Sequence, residues 1–281
     1  MSVSLAFSTN AYTRFSLAAA VRRIAACGYR GVEILGDRPH AYPPEFSPQE
    51  VKELKALLDE LGLAVSNFNA NTMFGYWTDA PAEPFFEPSL VSESKKHRTA
   101  RRKMILRSLE IAAGLGAGSI SITSGRPLGG MTPERCAEAF GEECGIILQR
   151  AERLGVNVGI ECEPGLLIER SDELLSWIAR LDSPRVGANL DVGHAVVAGE
   201  DPAAAIERLA GRIWNLHLED ICARKHYHRI PGEGEIDFAA IAAALERTGY
   251  DGFATVELYT QTADPDAAAR RSLEVLGPVF E

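Results

Sequence analysis

Eight short β-rich runs recur along the chain, and between them lie stretches with apolar residues at three- and four-residue spacing. The runs are VSLAFS (3–8), GVEIL (31–35), LAVSNFN (63–69), SISIT (119–123), VNVGIE (156–161), RVGANLD (185–191), IWNLHL (213–218) and FATVEL (253–258). Helical periodicity appears in LAAAVRRIAACG, SPQEVKELKALLDELG, ARRKMILRSLEIAAGLG, PERCAEAFGEECGIILQRAERLG and DFAAIAAALERTG. Several of these end in glycine just before the next strand, as helices with a left-handed terminal residue do. Eight strand-and-helix units in 281 residues predict a closed parallel (β/α)8 TIM barrel, an α/β fold, ahead of an open doubly wound sheet. The expected organisation is one barrel domain spanning 1–281.

In such a barrel, catalytic groups sit at the C-terminal ends of the strands and on the loops that follow. The polar residues there are Glu33, Asn67, Asn69, Thr123, Ser124, Glu161, Asn189, Asp191, His217 and Glu257. One connection is too long for a plain turn: 70–94 carries three prolines and five aromatics without clear periodicity. Long loops of this kind are usually functional or disordered. Following the third strand, it is expected to hang over the catalytic face. There Phe74, Tyr76, Trp77, Phe85 and Phe86 either cover a bound ligand or pack on the rim or against a second subunit.

Composition narrows the partners. The formal net charge of -10 repels phosphate backbones at long range, which argues against nucleic acid. The start lacks a basic segment followed by a long apolar run, and no later stretch reaches the roughly 18 apolar residues of a spanning helix. A cytoplasmic protein with no membrane partner is therefore expected. The five cysteines, Cys27, Cys136, Cys144, Cys162 and Cys222, are scattered without a C-x-x-C pair, so neither a disulfide framework nor a zinc knuckle is indicated.

Glu161, Asp191, His217 and Glu257 end strands five to eight, and a barrel brings them to one rim. Three carboxylates and an imidazole suit a hard to borderline divalent cation: Mn2+ is the first expectation, with Mg2+, Co2+ or Zn2+ as alternatives. Without a cation, the crowded carboxylates would repel one another and some would stay protonated. Taken singly, a strand-end acid is more often a helix cap or an ion-pair partner, and four together on consecutive strands weaken that reading.

NLDVGH (189–194), HLED (217–220), PGEGEIDF (231–238) and VEL around Glu257 together resemble the xylose isomerase-like TIM-barrel superfamily of sugar isomerases, ketose 3-epimerases and endonuclease IV. The resemblance implies that Glu161, Asp191, His217 and Glu257 bind one divalent metal, and that Glu161 and Glu257 also act as acid and base. It implies substrate-hydroxyl binding by His194 and a hydrogen-bonding role in the pocket for Glu33. The chemistry agrees, because a metal chelated by a sugar carbonyl and its neighbouring hydroxyl acidifies the α C–H and stabilises an enediolate. Return of the proton to the opposite face gives epimerisation, and return to the neighbouring carbon gives isomerisation.

Two departures qualify the resemblance. The nuclease branch holds additional zinc partly with early histidines, whereas this chain has only His40 and His97 before residue 194, neither at a strand end. Ketose 3-epimerases often carry a substrate-binding glutamate where this chain has Leu167, which leaves room for another polyol, keto-acid or glycoside substrate.

The segment KHYHRIPGEGEID (225–237) divides into two readings. Gly232 and Gly234 turn the chain toward a helix capped by Asp237. By resemblance, His228 matches a zinc histidine of the nuclease and His226 replaces its aspartate, so the loop is expected to contact substrate, with Arg229 as a hydroxyl or carboxylate donor. The leading expectation is a metal-dependent isomerase or epimerase of a small carbohydrate or keto acid. The alternatives are a lyase similar to 3-dehydroshikimate dehydratase, an endonuclease acting on abasic DNA, and a non-catalytic sugar-binding barrel. A homo-oligomer stays open.

Overall fold

The eight β-rich runs form eight strands, each within two residues of the ends read from sequence. The computed structural model describes residues 3–80 and 86–280. The strands are β1 (Ser4–Ser8), β2 (Gly31–Leu35), β3 (Ala64–Asn69), β4 (Ser119–Thr123), β5 (Asn157–Glu161), β6 (Val186–Asp191), β7 (Ile213–Leu218) and β8 (Phe253–Val256). Each pairs in parallel with the next, and β8 closes onto β1, giving a (β/α)8 barrel.

Period-two alternation explains the layering. Ile120 and Ile122, Val158 and Ile160, Leu216 and Leu218 belong to the buried apolar core shared with the surrounding helices. The residues between them meet inside the barrel, and many are polar. There Thr255 donates to Asn215 Oδ1 at 2.9 Å, Asn215 Nδ2 to Asn189 Oδ1 at 2.7 Å, Asn67 Nδ2 to Ser121 Oγ at 3.0 Å, and Ser119 to Asn67 Oδ1 at 3.1 Å. A buried polar network whose members satisfy one another fixes side-chain orientation beneath the catalytic rim.

The helix boundaries follow their capping chemistry. Ser47 and Glu50 form a reciprocal capping box at the start of Pro48–Leu61, and Gly62 ends that helix with a left-handed backbone. Helix Lys95–Leu115 begins five residues before the apolar periodicity at Ala100, because its first turn, KKHRT, is polar and carries no apolar stripe. Two short helices, Val192–Val197 and Pro202–Arg208, occupy the β6–β7 connection.

The long segment after β3 contains a 3-10 turn at Phe74–Tyr76. Asp37, from the β2 loop, ties it down by accepting from Thr72 Oγ1 at 2.7 Å, Phe74 N at 2.6 Å and Gly75 N at 2.9 Å. Tyr76 and Trp77 pack edge-on against each other and against His97, away from the barrel mouth. Phe85 lies outside the described residues. No described helix is long and apolar enough to cross a membrane.

Candidate metal centre and substrate cavity

At the C-terminal rim, ligand atoms of Glu161, Asp191, His217 and Glu257 all lie within 4.8 Å of one another. The strands set this meeting: Glu161, Asp191 and His217 are the last or next-to-last residues of β5, β6 and β7, and Glu257 follows β8 directly. His217 Nδ1 faces the acids, at 3.3 Å from Glu161 Oε2, 3.6 Å from Glu257 Oε2 and 3.8 Å from Asp191 Oδ2. All four residues are buried.

Each ligand is held from outside the cluster. Glu161 Oε2 accepts from Asn71 Nδ2 at 2.9 Å and also from Asn189 Nδ2. Glu257 Oε1 accepts from Asn10 Nδ2 at 2.9 Å and Asn69 Nδ2 at 3.1 Å. Asp191 caps the following short helix, with Oδ1 accepting from His194 N at 2.7 Å. Asn71 is itself fixed by Arg101, a fully buried guanidinium whose Nη2 donates to the Ala70 and Asn71 carbonyls, both at 2.7 Å.

The electrostatics of the protein alone show a cluster short of positive charge. Burial, reinforced by Asp191, pushes the Glu161 carboxyl up to about 7, although His217 works against the shift. Burial likewise raises Glu257 well above the carboxylate range. Burial disfavours a charged His217, yet Glu33, Glu257 and Glu161 outweigh it and hold the imidazole well above its ordinary value. Protons thus occupy the places that a cation would fill. A divalent cation fits the residues present: the donor set is three carboxylates and one imidazole, and Asp191 Oδ2 is buried with no hydrogen-bond partner.

Above the cluster opens a cavity of about 620 Å3, lined by both glutamates and by His194, His226, His228 and Tyr259. Phe74 and Phe86 of the long loop also line it, whereas Tyr76 and Trp77 do not. Burial drives His194 down to about 3 and His228 down to about 4, so both imidazoles are neutral. His228 Nδ1 bonds the Glu257 carbonyl at 2.9 Å, leaving Nε2 buried without a partner.

Two of the expected site residues stand apart from the cavity lining. Glu33 does not reach the cavity: it is fully buried behind His217, with Oε2 at 2.7 Å from Nε2, and it accepts from Asn67 Nδ2 at 2.8 Å. The contact holds the His217 ring from its Nε2 side. Arg229 is exposed and is not part of the cavity wall. Its backbone pairs antiparallel with Asp220, and alternation along that extended segment turns His228 inward and Arg229 outward.

The glycine motif is a turn built on Asp220. Asp220 Oδ2 accepts from Gly232 N and Gly234 N, both at 2.8 Å, while Oδ1 accepts from Ile221 N at 2.9 Å and Ile236 N at 3.1 Å. Asp237 Oδ1 caps the next helix through Ala240 N at 3.0 Å. Sequence reading missed the positioning roles of Asn10, Asn71, Arg101 and Asp220, none of which carries a local signal of what it will touch. It also missed Glu163, which lines the cavity; the E-C-E-P spacing beside Glu161 was the available clue.

The profile of the xylose isomerase-like TIM barrel family matches residues 21–279. A fructoselysine 3-epimerase of Shigella flexneri is 27% identical over 276 residues, covering 95% of this chain and 94% of the relative. Among solved structures, a D-tagatose 3-epimerase-like protein superposes with a TM-score of 0.79 at 22% identity, covering 98% of this chain and 99% of the other. An IOLI protein with a binding zinc atom superposes with a TM-score of 0.78 at 16% identity, covering 99% of this chain and all of the other, 100%.

Proposed function

The chain belongs to the xylose isomerase-like TIM barrel family, and on that premise we propose that it is a divalent-metal-dependent epimerase acting beside the carbonyl of a small keto sugar. The observation that carries this reading is the convergence of Glu161, Asp191, His217 and Glu257 under a sugar-sized cavity, with two of the carboxylates lining that cavity. The similarity to a fructoselysine 3-epimerase along nearly the whole chain supports it, and the zinc in the IOLI protein supports a metal. Mn2+ is the ion we expect; the donor set also admits Mg2+, Co2+ and Zn2+.

A divalent cation bound by the four residues would polarise the substrate carbonyl and stabilise the negative charge that develops when the α C–H is broken. The remaining work falls to side chains. Glu161 and Glu257 each have one oxygen anchored by asparagine amides, which aims the carboxylate while leaving the other oxygen for a proton. One glutamate removes the proton from the α carbon to give an enediolate, and the other returns it on the opposite face. Before a cation binds, burial raises the Glu161 carboxyl above the ordinary carboxylate range, to about 7. His194 and His228, neutral and at the cavity wall, offer hydrogen bonds to sugar hydroxyls.

The test is product analysis of the metal-loaded protein with a panel of ketoses and keto acids. Inverted configuration at a carbon next to the carbonyl, with an unchanged ultraviolet spectrum, is the expected result. A conjugated, strongly absorbing product would instead reveal a lyase and overturn epimerisation.

A further inference from the structure

Asn10 lies in the 3-10 turn Thr9–Tyr12 after β1, Asn71 lies two residues beyond β3, and both line the cavity. Asn10 Nδ2 donates to Glu257 Oε1 and Asn71 Nδ2 to Glu161 Oε2, each at 2.9 Å. Among the described residues neither amide makes another side-chain hydrogen bond, and both Oδ1 atoms are buried without a partner. An unsatisfied buried carbonyl is costly, and a residue kept only to hold a loop has no reason to carry it. The second amide on each glutamate is different. Asn189, on Glu161, also accepts from Asn215 Nδ2 at 2.7 Å, while Asn69, on Glu257, reaches Glu33 Oε1 at 3.2 Å and accepts from Asn71 N at 3.2 Å. Those two are tied into the buried network, whereas Asn10 and Asn71 each give their side chain to one glutamate. Both are steadied through the backbone: Asn10 N donates to Ser8 Oγ at 3.4 Å, and the Asn71 carbonyl accepts from Thr123 Oγ1 at 3.1 Å as well as from Arg101.

We propose that Asn10 and Asn71 are positioning residues that govern the two proton transfers separately, Asn10 through Glu257 and Asn71 through Glu161. This rests on the epimerase reading above, in which one glutamate takes the α proton and the other returns a proton on the opposite face. A donor at 2.9 Å from one carboxylate oxygen fixes the rotation of that carboxylate, and with it the approach of the other oxygen to the reacting carbon. Small errors of approach cost rate steeply. The Asn71 side chain does not bond Glu257, and the Asn10 side chain does not bond Glu161, so loss of either amide disturbs one transfer and spares the other. The one link between the two halves, Asn71 N to Asn69 Oδ1, is a backbone contact that substitution of the Asn71 side chain leaves in place. For the epimer whose proton Glu161 removes, Asn71→Ala slows the breaking of the C–H bond. For the other epimer, whose proton Glu257 removes, the same substitution slows only the return.

The experiment measures the primary deuterium isotope effect on kcat/KM in both directions of metal-loaded wild type, Asn10→Ala and Asn71→Ala. The probes are two pairs of C3 epimers, D-fructose with D-psicose and D-tagatose with D-sorbose, each sugar deuterated at C3. Either variant should slow turnover roughly ten- to a hundredfold, the effect of losing a hydrogen bond to a charged group. Elemental analysis should find the metal retained, because Asn189 and Asn69 still hold the ligand carboxylates. Asn71→Ala should raise the isotope effect for one epimer of a pair and lower it for the other, and Asn10→Ala should do the reverse. Each variant is compared with itself, so a loss of folded protein, which lowers turnover of both epimers alike, does not produce this pattern. Asn10→Leu and Asn71→Leu, close in size to asparagine, repeat the test without opening a cavity. Isotope effects that move together for both epimers, the same pattern in both variants, or loss of the metal would overturn the separate roles. Failure of wild type to interconvert either pair would overturn the epimerase reading, and the proposal with it.

Discussion

Glu33 Oε2 lies 2.7 Å from His217 Nε2, and both side chains are fully buried. The contact occupies one ring nitrogen and presents the other, Nδ1, to Glu161, Asp191 and Glu257. Carboxylate partners behind a ligating histidine typically govern metal affinity by about ten- to a hundredfold. Glu33→Gln should therefore weaken metal binding by about that factor, measured by competition with a chromogenic chelator. Affinity equal to wild type would mean that the carboxylate does not orient the ring.

The raised Glu161 carboxyl gives a pH dependence with a definite sign. Its folded pKa of about 7 exceeds the ordinary value of 4.5, so between these pH values the metal-free folded state holds a proton that the unfolded state has lost. That contribution to stability is complete below about 4.5 and disappears as pH rises through about 7. A cation must displace the same proton, so metal binding strengthens over the same window. Thermal unfolding with and without Mn2+ should show a larger metal-induced rise in Tm at pH 8 than at pH 6. A rise that is the same at both values would contradict the proton–metal competition.

Two glycine-to-alanine substitutions should act in opposite directions. A Cβ on Gly234 would fall 2.2 Å from Asp220 Oδ1 and 2.4 Å from the Ile221 carbonyl, inside the turn that leads His228 to the cavity. Gly234→Ala should cost roughly 1–3 kcal/mol in urea unfolding, as overpacking against fixed groups does. A Cβ on Gly145, exposed within helix Pro133–Leu154, meets nothing within 4 Å. Gly145→Ala should add up to about 1 kcal/mol through helix propensity.

The barrel and its rim were legible because strand alternation is local: a period of two with polar residues at the strand ends predicts both the sheet and the address of Glu161, Asp191, His217 and Glu257. What stayed hidden depends on long-range contacts. Glu33 ends its strand as the metal acids do, and only the position of His217, 184 residues later, shows that it points behind the ring. Arg229 and His228 are neighbours in sequence, and the pairing of Arg229 with Asp220 decides which of them faces inward. Arg101 sits in a helix whose pattern gives no hint that its guanidinium bridges two loop carbonyls and so steadies Asn71 against Glu161.

The central claim is that Glu161 and Glu257 exchange a proton at a carbon beside a ketone in the presence of a bound divalent cation. It is tested most directly by NMR of substrate incubated in D2O with the metal-loaded protein and with Glu161→Gln and Glu257→Gln. The account predicts deuterium at a single carbon next to the carbonyl, in both epimers, with loss of turnover in either variant while the barrel stays folded by circular dichroism. Epimer formation without deuterium from solvent, or wild-type exchange in either variant, would contradict it.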